Sequence, residues 1–287
     1  MNLKAKRLAA LLTTGAICGT IVTAPKSALP QIQVASAANT YNYVEAMQKS
    51  LFFYQGQQSG PLADWNEVSW RADCMMNDYV TGGWFDAGDH IKFALTNAYS
   101  SAMLAWGVLE YEQGLKDAGL LDMYRKNLQF SLDFLVGCDL GDEVVYQIGE
   151  IGFDHKWWGS AEVYMRKYEL MQGETDRPYY TTKDSNVTGE MAAALAAGYL
   201  VFKDSDPALA KTYLEHAENC FKIADTTRDH KNTPASDAMY PSSHFYDELF
   251  WAANWMYKAT GEQKYLDLCE SDYIPNLGKE DQSTEMK

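Results

Sequence analysis

Apolar residues recur at helical spacing along most of the chain. From Tyr43 to Tyr54, Val44, Met47, Leu51 and Tyr54 share one stripe. Ala94 to Tyr111 is almost continuously apolar, and Asp122 to Val136 places Tyr124, Leu128, Leu132 and Leu135 together. Val187 to Phe202 is alanine-rich and opens near Thr188, which has the side chain of a helix cap. Pro207 to Ala224 follows Asp206, an N-cap with proline at the first helical position. Asp247 to Ala259 runs to Gly261, the residue a left-handed C-cap requires, and Glu262 to Cys269 begins another helix.

This pattern predicts an all-α chain of about seven helices in hairpins. Ala118-Gly119 and Asp204-Ser205-Asp206 are the short turns. Gln55 to Ile91, Gly137 to Ser185 and Thr226 to Phe245 are the long loops, and no regular strand stands out in them. Short turns at one end and long loops at the other place any cleft among the loops, which hold nearly all the unusual residues.

The N-terminal residues read differently. Lys4, Lys6 and Arg7 precede an apolar run to Ala24, and Ala35-Ser36-Ala37 is a small-residue cleavage pattern. Residues 1–38 are therefore expected to be an export signal and 39–287 one large domain, secreted and free of the membrane after cleavage. The net charge of −15 excludes nucleic acid as a natural partner, because phosphates would be repelled. Cys18 would leave with the signal. Cys74, Cys138, Cys220 and Cys269 are widely spaced with no CxxC pattern, so they are expected to be buried thiols and not zinc ligands.

Three loop motifs carry candidate chemistry. In Gly82-Gly83-Trp84-Phe85-Asp86-Ala87-Gly88-Asp89-His90-Ile91-Lys92-Phe93, the small residues between Asp86 and Asp89 allow a tight turn with both carboxylates on one side. Such a pair can hold one water, and the ionised member can take its proton. A cap and a turn residue would use the same two aspartates. In Asp154-His155-Lys156-Trp157-Trp158-Gly159, indole faces suit the CH faces of sugar rings and His155 and Lys156 suit hydroxyls, although tryptophans can also fasten a loop to a core. In Tyr240-Pro241-Ser242-Ser243-His244-Phe245-Tyr246-Asp247-Glu248, hydroxyl, carbonyl and carboxylate oxygens form a set suited to Ca²⁺. Ser243 as a cap with Asp247 and Glu248 in a first helical turn explains the same residues.

Together these blocks resemble the family 9 glycoside hydrolases, cellulases that are mostly endoglucanases. GGWFDAGDHIKF at 82–93, DHKWWG at 154–159, VTGEMAAALAAGYLVFK at 187–203 and YPSSHFYDELFWAANWMYKATG at 240–261 stand in the family's order. The resemblance implies an (α/α)6 barrel of twelve helices, with about seven in this N-terminal portion. It implies Asp89 as general base with Asp86 holding the water, and His155, Trp157, Trp158 and Tyr240 along the glucosyl subsites. It implies structural Ca²⁺ at Ser243, His244, Asp247 and Glu248, where His244 replaces the usual glycine, and no organic cofactor. The implied partner is a β-1,4-glucan chain, with a cellulosome or a carbohydrate-binding module as further partners through sequence outside this chain. The family's acid Glu lies in a late Asn-Glu segment, and no Asn-Glu pair follows Gly261 here. Activity of residues 39–287 alone would place the acid within the chain, with Glu150, Glu162 and Glu190 to be tested for it. A catalytically inactive glucan-binding protein and a Ca²⁺-stabilised surface scaffold are the alternative readings.

Overall fold

The computed structural model describes residues 41–231 and 239–279. The export signal expected over residues 1–38 lies outside them. Tyr43 to Lys279 falls in one compact unit. Its elements are α1 (Tyr43–Gly56), β1 (Lys92–Phe93), α2 (Ala94–Asp117), α3 (Leu121–Cys138), β2 (Val144–Ile148), α4 (Ile151–Asp154), α5 (Ala161–Gln172), β3 (Tyr179–Thr182), α6 (Ser185–Phe202), α7 (Pro207–Thr227), α8 (Tyr246–Thr260) and α9 (Gln263–Leu268). A π-turn, Cys269–Tyr273, and a last short helical turn, Ile274–Asn276, follow.

Every helix expected from the spacing forms. Tyr111, where the apolar run ends, has non-helical angles inside α2, so the helix kinks there and continues to Asp117. Asp206 caps α7, its carboxylate accepting from Leu209 N at 3.0 Å. Gly261 ends α8 in the left-handed conformation at φ 72°. Thr188 is not a cap: α6 starts earlier, at Ser185, and the Thr188 hydroxyl bonds back to the Asp184 carbonyl at 2.9 Å.

The loops hold more structure than their composition suggests. The segment between α3 and α6 contains α4, α5 and two strands. β1, β2 and β3 form an antiparallel sheet in that order, with Lys92 opposite Ile148 and Val145 opposite Thr181. β2 is buried at every position, so its apolar residues do not alternate with polar ones and give no period-2 signal.

α6 is the centre of the packing. Every residue from Ser185 to Gly198 is buried, and α2, α7 and α8 lie against it. Small side chains permit this approach. A Cβ on Gly198 would stand 2.5 Å from Leu132 Cδ1 of α3. A second, smaller core of Met75, Phe85, Phe153, Tyr164 and Tyr168 sits apart from the helical one, joining the 57–91 loop to α4 and α5. Cys74, Cys138, Cys220 and Cys269 are buried free thiols.

Candidate active site

Two glycines set the course of the motif at 82–93. Gly82 and Gly83 have φ of 80° and 75°, and a Cβ on Gly83 would fall 2.6 Å from the Phe134 ring. The chain can therefore press against α3 before Trp84 and Phe85 turn inward, both buried. Asn97 holds Trp84 by accepting from its N–H at 2.9 Å and donating to its carbonyl at 3.1 Å. The next residues form a closed turn, with Asp86 N–H donating to the Ile91 carbonyl at 2.9 Å. Gln57 Nε2 donates to the Asp86 and Ala87 carbonyls at 2.6 and 2.7 Å.

This turn leaves both aspartates facing a cleft of about 560 Å³. Asp89 Oδ1 accepts from Ile91 N–H at 3.2 Å, and Oδ2 lies 3.0 Å from His155 Nε2. Burial pushes the Asp89 carboxyl above the usual aspartate range, the hydrogen bond to His155 opposes that, and the nearby Asp154 and Asp86 charges add to it. Tyr240 donates its hydroxyl to Asp86 Oδ2 and packs edge-on against Phe93. Burial and that hydrogen bond raise the Tyr240 phenol. Asp89 does not cap α2, since β1 intervenes and the N-cap position is Phe93.

The two adjacent tryptophans divide. Trp157 is half-buried on the second core, 5.7 Å edge-to-face from Tyr164, while Trp158 is 88% exposed and lies against Gly88. Both indoles line the cleft with Asp86, Asp89, His155 and Tyr240, so the structure brings these six candidates together. Asp154 and Met239 line it as well. Asp154 stands at the head of the tryptophan motif but reads there as a loop acid. It is buried, and accepts from His90 N–H at 3.1 Å.

The other sequence candidates lie elsewhere. Glu150, Glu162 and Glu190 do not line the cleft. Glu162 is ion-paired with Arg71 at 2.6 Å, and Glu190 is buried in α6, accepting from Trp251 Nε1 at 3.2 Å. The Ser243–Glu248 group is also separate. Ser243 and His244 precede α8, and Asp247 and Glu248 occupy its first turn. Ser243 is not the cap: the N-cap position is Phe245, and the Ser243 hydroxyl lies 2.6 Å from His244 Nδ1. His244 is not among the positive-φ residues, so a side chain at the glycine position brings no left-handed strain. Glu248 Oε2 is buried without a hydrogen-bond partner, and burial with the adjacent Asp247 raises its carboxyl to about 9. Two adjacent carboxyls, one of them driven toward its neutral form for want of a counter-charge, fit a cation in character. Among the described residues, however, no three acidic, histidine or cysteine side chains are grouped to enclose one.

Helical hairpins carrying a carboxylate turn in an aromatic cleft define a domain of the helical-barrel glycosidase class. Residues 43–287 match the family model described as Glycosyl hydrolase family 9, and the chain belongs to that family. It is 44% identical over 260 residues to Endoglucanase B of Cellulomonas fimi, covering 87% of this chain and 24% of that protein. It is 39% identical to Endoglucanase A of Bacillus pumilus, covering 79% and 35%. Endoglucanase CelQ from Clostridium thermocellum, solved with cellotetraose, superposes with a TM-score of 0.76 at 50% identity, covering 85% of this chain and 39% of that one. The termite endoglucanase of Nasutitermes takasagoensis gives 0.76 at 35% identity, covering 83% and 56%. The fold is therefore the (α/α)6 barrel, represented in part. The chain spans 24% to 48% of the length of the first curated relatives it matches.

Proposed function

We propose that this chain is the part of a secreted, inverting endo-β-1,4-glucanase that binds the glucan and supplies the base. The observation that carries this reading is Asp89. Its carboxylate faces the cleft, held by Ile91 N–H and His155 and paired with Asp86 on one turn. In the reaction, Asp86 and Asp89 hold one water beneath the sugar. Its oxygen bonds to the anomeric carbon as Asp89 takes its proton, while the glycosidic C–O bond breaks and an acid on the opposite face protonates the departing oxygen. The acid and base carboxyls then stand about 6.5–9.5 Å apart to admit the water. The family resemblance assigns the acid to the late Asn-Glu segment, and the placement of Glu150, Glu162 and Glu190 away from the cleft supports no substitute for it. Trp158 offers a free indole face to a sugar ring, and His155 and Lys156 offer donors to hydroxyls. The cello-oligosaccharides named with CelQ support this substrate class.

A structural Ca²⁺ belongs to the same proposal. Asp247, Glu248, the Ser243 hydroxyl and the His244 carbonyl would hold it, and its charge would compensate Glu248. The His244 carbonyl already accepts from the Ser242 hydroxyl at 2.7 Å, which leaves one lone pair. Such an ion would pin the loop bearing Tyr240 to α8.

The test is the anomeric configuration of the first product. Proton NMR of cellotetraose cleavage by the intact protein is expected to show the α-anomer first, and Asp89→Ala is expected to lower turnover about 10²–10⁴-fold. A β-anomer first, or near-normal turnover by Asp89→Ala, would overturn the assignment.

A further inference from the structure

We propose that Arg177, anchored by Asp78, is a positioning residue that sets the direction of the Asp89 carboxylate through the His90 peptide. The inference rests on Asp89 being the base. Arg177 enters from the segment just before β3, far in sequence from the aspartate turn. Its Nη1 donates to the His90 carbonyl, and on the other side of the same residue Asp154 accepts the His90 N–H at 3.1 Å. His90 thus has both backbone polar groups held by charged side chains. It stands between Asp89 and Ile91, whose N–H binds the Asp89 carboxylate. Arg177 on the His90 carbonyl fixes the peptide that carries the Ile91 N–H, and Asp154 on the His90 N–H fixes the peptide that begins at the Asp89 Cα, so the two together set that donor and the carboxylate it binds.

Arg177 has little freedom of its own. Nε and Nη2 donate to the two Asp78 oxygens at 2.8 and 2.6 Å. Lys92 Nζ holds the same carboxylate at 2.9 Å and also donates to the Val80 and Gly82 carbonyls at 2.6 and 2.9 Å. The side chains of Asp78, Lys92 and Arg177 are wholly buried. A Cβ on Gly149 would stand 3.1 Å from Arg177 Nη1, so the guanidinium packs closely against the backbone there. Burying charges is costly, and apolar residues of similar volume often stabilise a fold as well or better. Fixed geometry is what such a network supplies. It ties the lead-in at Val80 and Gly82, the base turn at His90 and strand β1 at Lys92 to one carboxylate. A planar guanidinium can hold Asp78 with two nitrogens while the third reaches His90. A lysine cannot.

The experiment compares Arg177→Lys and Asp78→Asn with Asp89→Ala in the intact protein. Each of the first two is expected to lower kcat at least tenfold on cellotetraose with KM changed less than threefold. Each is also expected to move the acidic limb of the pH profile. Azide, which needs no base, is expected to restore turnover in Asp89→Ala, where the carboxylate that would repel it is gone. Turnover within twofold of wild type, or a loss that tracks a lower melting temperature with an unmoved acidic limb, would reduce the network to a structural one. If Asp89→Ala itself retains turnover, the base assignment fails first. If only Asp89→Ala is impaired, the base assignment stands and this inference falls. Should both network variants fail to fold, side-chain ¹⁵N NMR of the wild-type protein decides. Distinct, slowly exchanging Arg177 Nη signals are expected, and a freely rotating guanidinium would overturn the inference.

Discussion

His155 Nε2 lies 3.0 Å from Asp89 Oδ2, joining the tryptophan loop to the aspartate turn across the floor of the cleft. Under the proposed mechanism the contact gives His155 a part in setting the base as well as in meeting substrate. As the proposed base, Asp89 acts as a carboxylate, so activity is expected to be lost as pH falls through its raised pKa, above the ordinary value of 3.8. The bond to His155 lowers that pKa, and its removal should raise it. His155→Ala is therefore expected to shift the acidic limb of kcat/KM to higher pH. An unmoved limb in the pH–rate profile would show that the contact has no electrostatic weight.

Asp89→Asn should separate activity from stability. Burial disfavours the charged form, so this site's contribution to stability is present below the unfolded pKa and is lost as pH rises through the folded one. Replacing the acid by a neutral isostere is expected to leave the melting temperature at pH 7 unchanged or slightly higher while turnover collapses. Calorimetry beside an activity assay would show it. A lower melting temperature would mean that the hydrogen bonds of Asp89 outweigh its burial.

The tryptophan pair predicts opposite phenotypes. Trp157→Ala removes a half-buried ring packed against Tyr164 and should cost about 2–4 kcal/mol of stability, somewhat below the roughly 3–5 kcal/mol of fully buried aromatic truncations. Trp158→Ala removes a ring that is 88% exposed and should leave stability nearly unchanged. Cellotetraose affinity in that variant is expected to fall about tenfold, or roughly 1.4 kcal/mol. Titration calorimetry and melting curves on both variants would separate the two roles.

Tyr240→Phe keeps the edge-on contact with Phe93 and loses the hydrogen bond to Asp86. Turnover is expected to fall on the order of tenfold, about 1.4 kcal/mol in the barrier. Substrate affinity should change less. Steady-state kinetics showing an effect confined to KM would assign Tyr240 to sugar contact alone.

Chelation should destabilise the protein if Glu248 and Asp247 hold Ca²⁺. A cation at about a hundred times its Kd adds about 2.7 kcal/mol to folding. Removal with EGTA is expected to lower the melting temperature by several degrees, with recovery on adding Ca²⁺ and not K⁺. Glu248→Gln should abolish that difference. A melting temperature indifferent to EGTA would remove the cation from the proposal.

The seven expected helices were legible because each has an apolar stripe or run and, in α7 and α8, a capping residue whose role is local. The aspartate turn was legible because Asp86 and Asp89 are three residues apart with only Ala87 and Gly88 between them. The sheet was not, since β2 is buried throughout and β1 is two residues long. α5 was hidden by its polarity: only Ala161, Tyr164 and Tyr168 are buried, so its apolar stripe is too narrow to stand out in a loop-like segment. Arg177 and Asp78 carry no local signal, because their meaning is a pairing between distant segments. The division between Trp157 and Trp158 likewise depends on Tyr164, a partner supplied by α5.

The unbroken burial of Ser185 to Gly198 has a consequence for how this sequence can vary over time. An ordinary surface helix has a face on which substitutions are nearly free. This one has none along that stretch, and its alanines and glycines are already the smallest side chains available. Enlarging any of them forces neighbouring helices apart, typically at about 1–3 kcal/mol each, and the only smaller residue open to an alanine is glycine, which costs about 1 kcal/mol inside a helix. Change at such a position must therefore arrive together with change on α2, α7 or α8. Lineages that diverge freely in their loops should still share the cross-section of this one helix.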